Sequence, residues 1–187
     1  MRIIGGKFKG GKLLGPRDKE TRPLKDLTKE SIFNIINHSN KFTIDIEKAS
    51  VLDLFSGVGS FGIECLSRGA IHVTFIEKYE GVLPILKNNL NNLKSKIDYK
   101  IIESDILNKF NFKVLKSKYD LIFLDPPYRE KAIENVLNTL FENKILKDNG
   151  IIIIHRHKKE TNIFPKNFKL IDEKRYGISK IIFGSFC

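Results

Sequence analysis

The sequence predicts an α/β fold of the Rossmann-like type, with a mostly parallel sheet of seven strands, helices on both faces and a C-terminal antiparallel hairpin. From residue 49 onward, short apolar runs alternate with stretches of helical periodicity, which is typical of successive β-α units. A chain of 187 residues can build a full hydrophobic core but is short for two large domains. We therefore expect a basic N-terminal segment, residues 1–26, and one domain, residues 27–187.

The N-terminal segment is basic and rich in glycine. Its first twelve residues contain four cations and no acid, and they predict a hairpin of residues 2–8 with 12–14, followed by an extended arm. Asp26 or Thr28 is a candidate N-cap for a helix that runs to about residue 37. Three apolar residues of this helix are expected to face inward: Ile32, Phe33 and Ile36.

The remaining elements follow from the periodicity of apolar residues. Helices are predicted at residues 60–68, 79–93 and 130–143, and the last has apolar residues at i, i+3, i+4, i+7 and i+8. Turns are predicted at residues 147–150 and at Gly177. Strands are predicted at about residues 51–55, 72–76, 101–103, 119–124, 150–155, 168–175 and 179–185.

The most informative motif is Asp125-Pro126-Pro127-Tyr128, which follows the apolar run of residues 119–124. Proline cannot donate a hydrogen bond to a sheet, so the strand ends there, and the stiff backbone holds the Pro126 carbonyl beside the Asp125 carboxylate. Two fixed acceptors next to an aromatic ring suit a planar ring that carries an NH2 group. The motif therefore indicates a nucleobase amine as substrate, and the alternative is a tight turn that carries an acid.

A glycine-rich loop follows the first predicted strand. In Gly57-Val58-Gly59-Ser60-Phe61-Gly62, the first two glycines permit positive φ and allow a ligand to approach the backbone closely. The helix that begins after them offers free N–H groups at its N-terminus. The pattern alone is weak evidence for a dinucleotide site.

Acidic residues around this loop favour S-adenosylmethionine over NAD. Glu77 lies about twenty residues beyond the glycines, where a strand-end carboxylate can hold both hydroxyls of a ribose; the alternative is a solvated acid. Asp53, before the loop, suits the amino group of a methionine moiety and is a poor neighbour for a pyrophosphate. Asp105 either accepts from the adenine amino group, with Ile106 against the ring, or caps residues 106–110.

In this order, the motifs resemble those of the RsmD family, the bacterial small-subunit ribosomal RNA guanine-N2 methyltransferases. That family belongs to the class I methyltransferases that use S-adenosylmethionine. The resemblance covers essentially the whole chain. It is strengthened by four further stretches: residues 2–13, Thr21-Arg22-Pro23-Leu24-Lys25-Asp26, residues 29–34 and Tyr176-Gly177. Two positions depart from the family. Leu27 stands where arginine is frequent, and the fifth strand leads into His155-Arg156-His157 where glutamate is common, so no role is assigned there.

The resemblance implies methylation of guanine 966 of 16S rRNA, within the small subunit or its assembly intermediate. Asp125 and the Pro126 carbonyl would accept the two N–H bonds of the guanine amine, and Tyr128 would stack on the base. Whether Asp125 also takes the proton is left open. The cofactor site is expected to comprise Asp53, Phe55, Gly57, Gly59, Glu77, Lys78, Asp105, Ile106 and Asp125. No metal is expected, because a sulfonium is already an activated methyl donor.

Charge also favours a nucleic-acid partner. The chain has 33 Lys and Arg against 22 Asp and Glu, which gives a net charge of +11 and suits a polyanion. A lysine-rich proteome would produce the same excess, but cations also cluster in the N-terminal segment and around Arg156. The residues predicted to contact RNA are Lys7, Lys9, Lys12, Arg17 and Arg22.

Other features indicate a cytoplasmic protein, which we expect to be a monomer. Cys65 and Cys187 form neither a zinc spacing nor a disulfide framework, and Cys65 is expected to be a small core residue. There is no apolar signal region at the N-terminus, and no membrane partner is expected.

Two other functions remain open from the residues alone. An adenine-N6 DNA methyltransferase also uses the Asp-Pro-Pro-Tyr motif, although such enzymes usually need a separate target-recognition region. A non-catalytic RNA-binding module that retains the cofactor fold is the other alternative. Activity on duplex oligonucleotides would favour the first, and failure to bind S-adenosylmethionine would favour the second.

Overall fold

The computed structural model describes residues 1–17, 24–108, 110–127, 133–161 and 163–187. Two predicted site residues, Tyr128 and Arg22, lie outside these ranges. The helices are α1 (Asp26–His38), α2 (Ser60–Ser67), α3 (Leu83–Asn91) and α4 (Ile133–Glu142). The strands are β1 (Ser50–Leu54), β2 (His72–Glu77), β3 (Tyr99–Glu103), β4 (Tyr119–Leu124), β5 (Leu146–His157), β6 (Phe168–Tyr176) and β7 (Ser179–Phe186).

These strands form one sheet in the order β3-β2-β1-β4-β5-β7-β6. The first five strands run parallel, whereas β7 pairs antiparallel with both β5 and β6. Gly177, with φ of 58°, lies in the turn between β6 and β7. The predicted parallel sheet and its C-terminal antiparallel hairpin are therefore confirmed.

Side chains of the central strands alternate between two hydrophobic cores, as the period of two in a strand requires. One core contains Val51, Phe123 and Ile153 and is covered by α1, α2 and α3, including Cys65 and the predicted inward residues of α1. The other core contains Leu54 and Leu124 and is covered by α4. Helices on both faces of the sheet were predicted and are confirmed.

Two local predictions are wrong. The predicted turn at residues 147–150 is part of β5, where a bulge lets the strand advance from Leu146 to Ile151 while β4 advances from Tyr119 to Leu121. Neither Asp26 nor Thr28 caps α1, because Lys25 occupies the N-cap position without a side-chain hydrogen bond.

The N-terminal segment forms a short, irregular hairpin and packs against α2. Arg2 and Lys12 form an isolated antiparallel bridge, and the N–H of Ile3 donates to the Gly11 carbonyl at 2.9 Å. The backbone N–H of Lys7 donates to the Ser67 carbonyl at 2.6 Å, and Ile3 is buried in the core. The side chain of Asn89 exchanges two hydrogen bonds with the backbone of Leu14. Residues 1–14 are thereby anchored to the main domain.

A buried ionic cluster joins this segment to the helices. The Glu64 carboxylate accepts the N–H groups of Ile4 and Gly5, each at 2.8 Å, and lies 3.5 Å from the Lys29 ammonium. It also accepts from Arg68 Nε at 2.9 Å. Glu64 and Lys29 are both fully buried, and Glu64 is the nearest carboxylate to the Lys29 ammonium, with Asp26 at 3.9 Å, so the Lys29 charge depends mainly on Glu64 for compensation.

No helix within the described ranges of the chain is both long enough and apolar enough to cross a membrane.

Candidate active site

The carboxyl ends of the five parallel strands meet at one edge of the sheet. The chain leaves β1 toward β2 on one side, while β4 lies on the other side, so a crevice forms between the loops after β1 and β4. Asp53 lies in β1, Glu77 ends β2 and Asp125 directly follows β4. Three of the predicted acidic residues are therefore brought together at this topological switch point.

The loop after β1 has an unusual backbone. Phe55 has φ of 60°, which is strained for an aromatic residue, and Gly57 and Gly59 have φ of 54° and 82°. The N–H of Ser56 donates to the Ile76 carbonyl at 3.1 Å, which ties the loop to β2. Gly59 is the N-cap of α2, so the free N–H groups of this helix lie beside the loop.

The third glycine of the loop motif, Gly62, lets α2 lie close to the sheet. A Cβ atom at this position would lie 2.3 Å from the Phe75 ring and 2.9 Å from Val73.

We expect Gly62→Ala to lower the free energy of unfolding by about 1–3 kcal/mol, because a buried ring would have to move. Thermal unfolding would measure this loss. Gly15→Ala is the control, because nothing lies within 4 Å of its added Cβ. Equal stability of the two variants would contradict the close packing.

Glu77 is a structural anchor as well as a predicted ribose ligand. Its carboxylate accepts from the N–H of Gly57 at 2.7 Å and from the N–H groups of Lys78 and Tyr79, each at 2.8 Å. The side chain thus fixes the glycine loop against the end of β2. Three of about four acceptor positions of a carboxylate are then used, which leaves about one for a ligand hydroxyl.

Asp53 lies beneath the same loop, and only 1% of its surface is exposed. Its Oδ2 atom accepts the N–H of Gly62 at 3.0 Å, which holds the start of α2. Burial raises the pKa of Asp53 well above its ordinary value, and the negative charges of Asp125 and Glu77 raise it further. Both effects disfavour the ionised form of Asp53, so a cation bound beside it would stabilise that form.

Asp105 and Lys78 form an ion pair at the edge of this site. Lys78 Nζ lies 3.0 Å from Asp105 Oδ2, and Asp105 Oδ1 accepts the N–H of Leu107 at 3.0 Å. Burial acts to raise the pKa of Asp105, but the hydrogen bond and charge of Lys78, with the Leu107 N–H, outweigh it, so the pKa is lowered. Ile106 is buried beside it. Asp105 therefore caps its turn, and contact with a ligand stays a prediction.

Residues of β5 hold the Asp125-Pro126-Pro127 segment from one side. His155 Nδ1 lies 2.8 Å from Asp125 Oδ1, and Arg156 Nη1 donates to the Pro127 carbonyl at 3.1 Å. These contacts were not predicted. The sequence analysis counted Arg156 in a basic region that follows the predicted strand, but Arg156 is 2% exposed and lies within β5. This residue therefore adds no exposed positive charge to that region.

The donors and acceptors of the site fit S-adenosylmethionine. Asp53 and Glu77 supply negative charge for a ligand with an ammonium and a sulfonium group, and Glu77 retains acceptor capacity for a ribose. Gly59 has no side chain, and a Cβ there would lie 2.4 Å from Leu86. Backbone strain at Phe55 is itself a feature that clusters at ligand sites.

Four of the five cations predicted to contact RNA lie in described residues, and all four are exposed: Lys7, Lys9, Lys12 and Arg17. Lys7 Nζ donates to Ser95 Oγ at 2.8 Å and lies 5.6 Å from the centre of the Phe8 ring. The segment reaches the glycine loop through Asn89, whose amide also donates to the Val58 carbonyl at 3.1 Å. A basic surface is thus connected to the candidate cofactor loop.

Comparisons with known proteins agree with this geometry. A family model described as Conserved hypothetical protein 95 matches residues 1–185. Ribosomal RNA small subunit methyltransferase D of Haemophilus influenzae is 35% identical over 183 residues, which are 95% of this chain and 90% of that protein. The protein of the same name from Escherichia coli is 33% identical over 179 residues, which are 95% of this chain and 85% of that protein.

A solved structure also matches over the full length of the chain. The protein yhhF from Escherichia coli superposes with a TM-score of 0.77 and 30% sequence identity, over 100% of this chain and 97% of that chain. The likeness therefore includes the N-terminal segment, the sheet and the C-terminal hairpin.

Proposed function

Because the chain belongs to the Conserved hypothetical protein 95 family, which is the RsmD family, we propose that it methylates the exocyclic N2 of a guanine in 16S ribosomal RNA. The observation that carries the proposal is the position of Asp125, at the switch point beside the acidic pair Asp53 and Glu77. By resemblance the target is guanine 966, in the cytoplasm, within the small subunit or its assembly intermediate.

S-adenosylmethionine is the methyl donor, and its sulfonium supplies an activated methyl group. Asp53 and Glu77, with the backbone of Gly57 and Gly59, form the part of the site that would hold it. The glycine loop is fixed to β2 by two hydrogen bonds: the Glu77 carboxylate accepts the Gly57 N–H, and the Ser56 N–H donates to the Ile76 carbonyl. Such a preformed loop lowers the entropy lost on binding.

The proposed methyl acceptor, guanine N2, is a weak nucleophile. The lone pair of guanine N2 is delocalised into the ring, so the amine must be oriented and its developing positive charge stabilised. Asp125 and the carbonyl of Pro126 would accept its two N–H bonds. The Asp125 carboxylate would also attract the positive charge that the nitrogen gains. This attraction is stronger in a partly buried site than in water, and the Asp125 side chain is 20% exposed.

The reaction can be tested with substrates of different classes. Transfer of labelled methyl groups would be measured on small subunits that lack the modification, on protein-free 16S RNA and on duplex DNA. We expect label on the small subunit or its RNA and none on DNA. Label on DNA would favour the adenine-N6 alternative, and a protein that fails to bind S-adenosylmethionine in calorimetry would be the non-catalytic RNA-binding module.

The exposed cations of the N-terminal segment are proposed to contact RNA phosphates. Replacing Lys7, Lys9 and Lys12 together by Gln should reduce the slope of log affinity against log salt by roughly 2, because three phosphate contacts are removed. Filter binding or fluorescence anisotropy over a range of salt concentrations would measure the slope. The matched control replaces three exposed lysines that precede β4: Lys113, Lys116 and Lys118. A slope that changes equally in both variants would contradict a specific role for the N-terminal segment.

A further inference from the structure

A buried chain of hydrogen bonds leads from Asp125 into the sheet. Asp125 Oδ1 lies 2.8 Å from His155 Nδ1, and His155 Nε2 lies 2.9 Å from Ser179 Oγ. The side chain of His155 is only 7% exposed. Both ring nitrogens of a buried histidine are therefore engaged, one by the proposed amine acceptor and the other by a hydroxyl.

Strand register brings these three residues close together. Leu124 of β4 pairs with Ile154 of β5, so the next residues along the two parallel strands are Asp125 and His155. β5 and β7 run antiparallel, and Ser179 of β7 pairs with His157, two residues beyond His155, which makes it a diagonal neighbour of His155. The chain thus crosses three adjacent strands, which are rigid supports for side-chain geometry.

Chemistry assigns the direction of each bond. An ionised carboxylate can only accept, so the proton must lie on Nδ1 and be donated to Asp125. A neutral imidazole protonated at Nδ1 has an acceptor at Nε2, and the Ser179 hydroxyl can donate to it. The carboxylate therefore sets the tautomer, and the serine hydroxyl supplies the hydrogen bond that Nε2 then needs.

The histidine bond fixes the orientation of the Asp125 carboxylate through Oδ1. Among the described residues no donor is bonded to Oδ2, so this atom can accept from a substrate amine. The adjacent Arg156 fixes the Pro127 carbonyl. Two consecutive residues of β5 thus hold both ends of the segment that supplies the proposed acceptors, Asp125 and the Pro126 carbonyl.

We propose that His155 is a positioning residue that orients the Asp125 carboxylate toward the guanine amine, and that Ser179 supports the imidazole by donating to its Nε2 atom. This inference rests on the proposed function, because it concerns the same amine acceptor. The general reason is that a group which stabilises a transition state must be held in place before the reaction.

Two substitutions of His155 separate positioning from simple packing. In His155→Asn, the side-chain amide can lie where Nδ1 lies and still donate to Asp125, whereas in His155→Gln the amide extends toward Ser179. We expect His155→Gln to lower kcat by at least roughly tenfold, the scale seen when an orienting partner is lost, with little change in KM for S-adenosylmethionine. His155→Asn should recover most of that loss.

A matched control is His72→Gln. His72 Nδ1 also lies 2.8 Å from a carboxylate, that of Asp98, but at the opposite end of the strands. The His72→Gln substitution should leave kcat unchanged. If His155→Gln keeps the wild-type kcat while Asp125→Ala loses it, the proposed function stands and the positioning role is overturned. If the wild-type protein transfers no methyl group to the small subunit, the proposed function fails and takes this inference with it.

The tautomer can be measured without any substrate. Nitrogen-15 NMR of the histidine side chains should place the His155 proton on Nδ1 in the wild-type protein and show loss of that preference in Asp125→Ala. A proton found on Nε2 in the wild-type protein would overturn the assigned direction of both bonds.

Discussion

Asp125→Ala is expected to lower turnover at least about a hundredfold, the effect of removing one group that stabilises charge in a transition state. The fold and the affinity for S-adenosylmethionine should stay close to those of the wild type, because Asp125 follows β4 and its side chain contacts His155 rather than the cores. Single-turnover kinetics on small subunits would measure the loss. Thermal unfolding and calorimetry would verify the fold and the cofactor affinity.

The matched control for this truncation is Asp120→Ala. Asp120 lies at the other end of β4, where its carboxylate accepts from the Ser50 N–H and from Lys147 Nζ, each at 2.8 Å. Its removal should affect stability slightly and turnover little. Unchanged turnover in Asp125→Ala would remove Asp125 from the mechanism.

The second large effect is expected in the buried ionic cluster. Glu64→Gln keeps the volume of the side chain but removes the charge that compensates Lys29. We expect the free energy of unfolding to fall by about 3 kcal/mol, and Tm by roughly 6–12 °C for a chain of this size. The matched control is Glu30→Gln, which makes the same change at an exposed position of α1. A loss no larger than that of the control would contradict a compensating role for Glu64.

The deficit of Glu64→Gln should become smaller as pH rises from 7 to 10. Burial lowers the pKa of Lys29 below the value of the unfolded chain, although the charges of Glu64 and Asp26 partly raise it again. Without Glu64 the pKa of Lys29 falls further, so the folded variant holds fewer protons than the folded wild type. Its stability then rises more steeply with pH. Denaturant unfolding at several pH values would measure this trend.

A second substitution tests the origin of the effect. Adding Lys29→Met to Glu64→Gln should restore stability, because the uncompensated buried charge is removed as well. If the double variant is less stable than Glu64→Gln alone, the loss comes from packing or from the bonds to Ile4 and Gly5.

Sequence patterns predicted the sheet well because its signals are local. Alternation of apolar side chains in residues such as Val51 and Leu52 encodes which face of the sheet each one meets, and Gly177 encodes the turn of the last hairpin. The start of β5 was missed because residues 147–150 resemble a turn; they are the bulge between Leu146 and Ile151, which pair with β4 on either side of it. Strand boundaries of that kind depend on tertiary contacts.

The candidate site shows the same division. Asp53, Glu77 and Asp125 could be placed at one sheet edge because the carboxyl ends of parallel strands meet there. Their internal partners could not be predicted, since the pairing of Glu77 with Gly57, or of Asp125 with His155, joins residues 20 to 30 positions apart. The sequence showed that His155 stands at a strand end where the family commonly has glutamate. Its proposed role follows only from the register between β4 and β5.

Methyl transfer to the N2 atom of guanine can be tested by identifying the methylated nucleoside. Small subunits that lack the modification would be incubated with labelled S-adenosylmethionine and the wild-type protein, and their RNA digested to nucleosides. We expect label in N2-methylguanosine and its loss with Asp125→Ala. Label in N6-methyladenosine, or no label from a protein that binds S-adenosylmethionine, would contradict it.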